Sequence, residues 1–292
     1  MENKNISVYK SEKVKASLME YYDAVLKNFP IYFEELLIET KCGNTHIIVC
    51  GKEGGSPLFL FHGTGNNSLM WRYNIESLGK YFRLYLIDTI NDPGKSQAST
   101  IFNPETDYSI WVEEILNKLK IDKVSLLGHS KGGWIALNTL INIPDKLDKV
   151  VLLAPAAGIC STLNLKFIFK SLSVGIFPSE KNVNAYLKYI SGPENIINAN
   201  YVKYLSKLIK GTKAKVIKHR EFSDEELKNI NKPVLLLFGE NEKCIDYQLV
   251  IKRAKLLIEN LEAVVIPDAG HGLQGEKPEI VNKLIINFML GR

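Results

Sequence analysis

Apolar positions in this chain switch repeatedly between helical and strand-like spacing. Residues 11–28 place Val14, Leu18, Tyr21, Tyr22 and Leu26 at helical intervals, predicting an amphipathic helix that Pro30 ends. Strand-like segments follow at 32–39, 45–49 and 57–61. Gly43-Asn44 between the first two predicts a hairpin, and the unbroken apolar run of the third predicts a strand buried on both faces. The alternation continues with a helix carrying Met70 and Trp71, a strand at 82–88, the turn-rich segment 91–96 and a helix over 108–119. A strand at 124–127 then leads into a helix that stops near Pro144, and another strand covers 150–153. Beyond Gly158 the character changes: 159–228 carries lysine, tyrosine and asparagine among helical patterns, without a strand that would join a central sheet. Strands return at 233–238 and 263–266, with helices over 248–259 and 278–289.

Strand–helix alternation of this kind predicts a mostly parallel, eight-stranded α/β sheet with helices on both faces. The core then comprises 1–158 and 229–292. The helical block 159–228 reads as a cap inserted before the last two strands and lying over the strand C-termini, where an open α/β sheet places its site.

Composition narrows the class. With 292 residues, 46% of them hydrophobic, the chain can bury a sizeable core and does not resemble a disordered one. A formal charge of +5 is modest for this length and comes with no recognisable nucleic-acid module, so no nucleic-acid partner is expected. Cys42, Cys50, Cys160 and Cys244 lie far apart with no C-x-x-C pair, which suggests reduced thiols rather than a disulfide frame or zinc site. The polar N-terminus lacks the apolar stretch of a secretory signal. The nearest approach to a membrane span, 167–177, is interrupted by Lys170. A cytoplasmic protein, monomeric or homodimeric, is the expectation.

The candidate chemistry centres on Gly128-His129-Ser130-Lys131-Gly132, which has the spacing G-x-S-x-G between the strand at 124–127 and a helix. A turn this sharp strains the central residue and needs minimal side chains at Gly128 and Gly132, where a Cβ would clash. A serine hydroxyl also needs a base, itself oriented by an acid. Among five histidines, His46 sits in a strand, His62 and His129 are embedded in tight motifs, and His219 falls in the cap as a surface or lid residue. His271, in the glycine-rich loop after the last strand, is left as the base. The acid is expected in the loop after 233–238, where Glu242 is the choice, Asp246 the runner-up and Glu240 the outsider. Oxyanion stabilisation calls for two backbone N–H groups. Lys131, next after the serine, and Thr64, after His62-Gly63, are the candidates, with His62 bracing the loop. Trp71, Trp134 and Cys244 read as core packing.

Together these motifs resemble the α/β-hydrolase superfamily over 32–289. More narrowly they are similar to bacterial carboxylesterases of the naproxen-esterase type. The narrower likeness rests on Tyr22-Asp23-Ala24, Thr45-His46-Ile47-Ile48-Val49, Leu86-Ile87-Asp88 with Asp92 and Lys95-Ser96, and Gly239-Glu240 with Glu242 and Asp246. The resemblance implies hydrolysis of a small-molecule ester through an acyl-serine, with no metal and no cofactor. It implies a triad of Ser130, Glu242 and His271 and oxyanion positions at Thr64 and Lys131. The order serine, acid, histidine is the one associated with that fold. The same triad also serves C–C hydrolases, thioesterases and lactonases, and a slow-turnover ligand sensor could keep it. Dehalogenase and epoxide-hydrolase chemistry needs a carboxylate where Ser130 stands. The basic run 207–220 reads as a solvated cap face, with a positive entrance for anionic esters as the sharper alternative.

Overall fold

The structure is a computed structural model describing residues 6–100, 104–162, 164–213 and 219–292. The N-terminal residues 1–5 and the 214–218 part of the basic run lie outside the described residues. The strands are β1 (Phe33–Thr40), β2 (Gly43–Gly51), β3 (Ser56–Phe61), β4 (Phe82–Ile87), β5 (Gln97–Ala98), β6 (Val124–His129), β7 (Leu147–Leu153), β8 (Val234–Gly239) and β9 (Leu261–Ile266). They form one sheet in the order β1-β2-β4-β3-β6-β7-β8-β9, with β5 pairing to β2 off this path. The β1–β2 hairpin and the β2–β4 and β2–β5 pairs are antiparallel, and every pair from β4 onward is parallel. The expected eight strands are therefore joined by a ninth. β5 is two residues long, too short for any period-two signal to mark it.

The central strands are buried on both faces, which is why they read as unbroken apolar runs. All six residues of β8 are buried. The helices are α1 (Glu12–Leu26), α2 (Ile75–Gly79), α3 (Pro104–Leu119), α4 (Lys131–Asn142), α5 (Leu165–Ile176), α6 (Glu180–Ile190), α7 (Ala199–Gly211), α8 (Asp224–Lys228), α9 (Tyr247–Leu257), α10 (Leu273–Glu276) and α11 (Pro278–Leu290). The helix expected around Met70 and Trp71 is instead a 3-10 turn, Ser68–Tyr73, followed by the short α2. There the Asn67 side chain accepts from Leu69 N–H, and Ser68 N–H donates to the buried Asp88 carboxylate. Those two bonds fix where the turn begins, and backbone bonds three residues back, Met70 N–H to Asn67 O and Asn74 N–H to Trp71 O, give it the tighter coil.

Helices α5 to α7 fall between β7 and β8 and pack on one another around Val174, Val183, Leu187 and Val202. A second small cluster, including Leu18, Tyr204 and Leu208, ties α7 to α1. Among the described residues no helix is long and apolar enough to cross a membrane.

Candidate active site

β6 delivers the chain to Ser130 and α4 leaves it at once. Ser130 sits at φ 52 and ψ −115, outside the regions L-residues prefer. Such strain costs about 1–3 kcal/mol and persists only where neighbours fix it. Here the Ser130 N–H donates to Leu153 O (2.9 Å), and its carbonyl accepts from Trp134 N–H (3.1 Å) and Ala156 N–H (3.0 Å). The flanking glycines are sterically required. A Cβ on Gly128 would stand 2.1 Å from Gly132 O, and one on Gly132 would stand 2.1 Å from Phe61 O.

On the far side of the sheet's C-terminal edge, Glu242 Oε2 accepts a 2.7 Å hydrogen bond from His271 Nδ1. Glu242 Oε1 accepts from Cys244 N–H at 2.7 Å. Burial favours the neutral acid, but the His271 imidazolium and the Cys244 N–H together hold the Glu242 carboxyl below its usual range. The competing carboxylates are engaged elsewhere: Asp246 caps α9 by accepting from Leu249 N–H, and Glu240 accepts from Asp268 N–H. With Nδ1 occupied by Glu242, His271 has Nε2 left for a substrate-side partner. Burial pulls the imidazole down, yet Cys244 and Glu242 beside it carry it well above the ordinary histidine value.

The His271 backbone is held from both directions. Its N–H donates to Ile190 O at the end of α6 (2.7 Å), and its carbonyl accepts from His129 Nε2–H (2.8 Å). His129 immediately precedes Ser130, so one buried imidazole couples the elbow to the histidine loop. Burial pushes His129 down to about 3, keeping it neutral and able to act as this donor. Composition and spacing gave no hint of that bond, because its partners lie 142 residues apart.

The loop after β3 lies close to the elbow. His62 Nδ1–H donates to Gly63 O, and its Nε2 accepts from Thr89 N–H, both at 2.9 Å. Burial lowers the His62 pKa, so the ring stays neutral as this brace requires. Thr64 is exposed on the cavity wall, and its N–H has no acceptor among the described residues. Lys131 opens α4, so its N–H precedes the first intrahelical bond. Its side chain, which sequence reasoning left out, is buried and forms a 2.5 Å ion pair with Asp92 Oδ2. Asp92 Oδ1 in turn accepts from Gly65 N–H at 3.1 Å. The pair therefore fastens the Gly63–Thr64 loop to the start of α4. Burial disfavours the Lys131 ammonium, but Asp92 outweighs it and raises the pKa. Beneath this loop, the buried Asp88 carboxylate gathers Tyr22 OH, Ser68 N–H, Lys95 N–H and His46 Nδ1.

Ser130, His271, Thr64 and Cys244 line a cavity of about 730 Å³. Phe167, Val174, Leu187 and Leu205 from the α5–α7 segment complete its apolar wall. His219, expected as a surface or lid residue, also faces this cavity and tilts onto Trp134 at 4.8 Å. Trp71 and Trp134 are fully buried in the core. Cys244, expected as packing, is buried but touches the centre of the site. Donor atoms of Glu242, Cys244 and His271 lie within 4.8 Å of one another, a set that could bind a soft divalent ion. The carboxylate and imidazole of that set already bond to each other.

Residues 56–174 match the family model of the alpha/beta hydrolase fold. The chain is 30% identical over 277 residues to carboxylesterase YbfK of Bacillus subtilis, covering 92% of each chain. The chain belongs to the α/β-hydrolase carboxylesterases. The crystal structure of the Bacillus subtilis carboxylesterase CesB (YbfK) matches at a TM-score of 0.89 and 28% identity, covering 96% of this chain and 99% of that one. Naproxen esterase of Bacillus subtilis matches at a TM-score of 0.86 and 29% identity, covering 93% and 96%. The match of this carboxylesterase to its relatives thus spans the acid loop, the His271 loop and the α5–α7 segment as well as the elbow.

Proposed function

We propose that this carboxylesterase hydrolyses small or medium carboxylic esters through an acyl intermediate on Ser130. The Ser130 hydroxyl attacks the ester carbonyl while His271 Nε2 takes its proton, and Glu242 stabilises the resulting imidazolium. The negative charge on the tetrahedral oxygen meets the N–H groups of Thr64 and Lys131. Collapse expels the alcohol, which leaves with the proton from His271. A water then attacks the acyl-serine, giving its proton to His271, and the acid departs as Ser130 recovers a hydrogen. The observation that carries this reading is the Glu242–His271 bond at 2.7 Å, on a loop that is tied to the elbow by His129, the residue before Ser130.

A cavity of about 730 Å³ with aliphatic and aromatic walls suits an apolar acyl or alcohol group. Thioesters, lactones and C–C bonds could be attacked by the same groups, but the likeness to carboxylesterases favours the ester. Four free cysteines accord with work in the cytoplasm, as a monomer or homodimer that needs neither metal nor cofactor.

The test is Ser130→Ala. Hydrolysis of nitrophenyl esters should fall by about 10⁴-fold or more while the melting temperature and circular dichroism hold. Intact-mass measurement should show an organophosphonate adduct on the wild type alone. Wild-type-like turnover in the variant would overturn the reading. Tight ligand binding with sluggish labelling of the wild type would instead favour a sensor.

A further inference from the structure

The two faces of α5 meet different surroundings. Phe167, Ser171, Val174 and Gly175 line the cavity. Leu165, Phe169, Leu172 and Ile176, spaced three or four residues apart, are 71%, 71%, 54% and 67% exposed, and Phe177 follows at 68%. Single exposed apolar side chains are ordinary, but four large ones in a helical stripe with a fifth just beyond it are a surface with a use.

The charge beside the stripe says what kind. The ammonium groups of Lys166, Lys170 and Lys243 converge on the Tyr189 ring at 5.7, 5.1 and 5.6 Å. None of the three makes an ion pair among the described residues. Residues 165–211 hold seven lysines against two glutamates, an excess equal to the formal +5 of the whole chain. The rest of the protein is therefore balanced, and the net charge sits on α5 and the two helices that follow it. α5 itself contains no acidic residue.

We propose that α5 docks this protein onto the surface of an anionic phospholipid bilayer. Leu165, Phe169, Leu172, Ile176 and Phe177 enter between the headgroups, while Lys166, Lys170 and Lys243 face the phosphates. An interfacial helix is built this way, with aromatic and aliphatic residues on one face and lysines at its border. The inner face of the docked helix forms the cavity wall, so an amphiphilic ester leaving the bilayer has a short route towards Ser130. A second copy of the chain suits the stripe less well. A two-fold pairing through α5 would bring two lysine clusters into one interface with no acid on the helix to meet them.

Sedimentation with vesicles tests this without relying on turnover. The wild type should cosediment with vesicles of mixed phosphatidylglycerol and phosphatidylcholine, and little with phosphatidylcholine alone. Salt at about 0.5 M should release most of it. Lys166→Glu with Lys170→Glu should weaken partition about tenfold or more, and Phe169→Asp with Leu172→Asp should abolish it. Unchanged hydrolysis of a soluble nitrophenyl ester shows that the variants are folded. Equal partition onto both vesicle types, or none onto the anionic ones, overturns the proposal. So does a wild-type dimer that Phe169→Asp splits while vesicle binding stays the same.

Discussion

The elbow corner and the α5–α7 segment share one cavity and are built on opposite principles. At the corner Ser130 and His271 are held through their backbone atoms. Ser130 is held by Leu153, Trp134 and Ala156, and His271 by Ile190 and His129. Glycines there are packed so tightly that a single methyl would overlap a carbonyl oxygen. In α5 the outer face is apolar and exposed, and Gly175 has no atom within 4 Å of an added Cβ. The corner gives up tolerance for geometry, because acyl transfer depends on placement to within about half an ångström. The α5–α7 segment combines an apolar cavity wall with an outward-facing apolar surface. The hydrogen bond from His271 N–H to Ile190 is where the two regimes meet, since α6 holds His271 by its backbone.

The largest effect should come from the corner's electrostatics. Glu242→Gln keeps the shape but removes the charge facing His271, and kcat should fall by about 10⁴-fold, as when other triad acids are neutralised. The pH profile adds the sign. His271 must be neutral to act as base, and its raised pKa places the acid limb of the wild-type profile above that of a free imidazole. Without the carboxylate, one of the two neighbours that raise the imidazole is gone and the pKa falls, so the limb in Glu242→Gln should move to lower pH. A limb that stays put would mean Glu242 does not set the imidazole. Linkage runs the other way: a raised folded pKa stabilises fully below about pH 6.5 and is lost as pH climbs through the folded value. Turnover therefore rises across the interval in which this pair's contribution to stability declines.

Next in size is a steric test of the same corner. Gly132→Ala sets a methyl 2.1 Å from Phe61 O and 2.8 Å from His62 O, both backbone atoms that cannot swing away. We expect a loss of about 3 kcal/mol or more in chemical denaturation, with esterase activity falling alongside. A variant of near-native stability and activity would show that the corner is looser than its contacts indicate.

How far these contrasts could be read from sequence depends on the range of the interactions. The elbow was legible because Gly128, Ser130 and Gly132 are close along the chain and the steric demand is local. The acid was narrowed to one loop for the same reason, with Glu242 chosen over Asp246, and the fold adds that Glu242 faces His271 while Asp246 caps α9. Lys131 was read for its backbone alone. Its side chain finds Asp92 at a separation of 39 residues, and no pattern in a single sequence marks such a pair. His129 was set aside as packing, although its ring ties the His271 loop to the elbow. The hub at Asp88 was half visible: its residues appear in the motifs, but that Tyr22 and His46 meet it follows only from how α1 and β2 close on β4. Lysine enrichment of 159–228 was plain in the sequence. That the apolar stripe beside it faces solvent was not, because helical spacing gives a face but not its direction.

The smallest effect should come from the α5–α7 segment and carry the opposite sign. Gly175 lies inside α5 with ordinary helical backbone, and a Cβ there meets open space. Glycine in a helix costs about 0.5–1 kcal/mol relative to alanine, mostly through the freedom it gives the unfolded chain. Gly175→Ala should therefore stabilise the protein by up to about 1 kcal/mol, read as a small rise in the denaturation midpoint. The added methyl borders the cavity, so KM for bulky esters is the quantity to follow alongside it. Should this glycine serve only the fold, stability rises and KM stays fixed. If α5 must bend to admit substrate, a stiffer helix raises KM or lowers kcat while stability still increases. A drop in stability would mean that α5 is packed as tightly as the elbow, and the contrast between the two regions would fail at its weaker end.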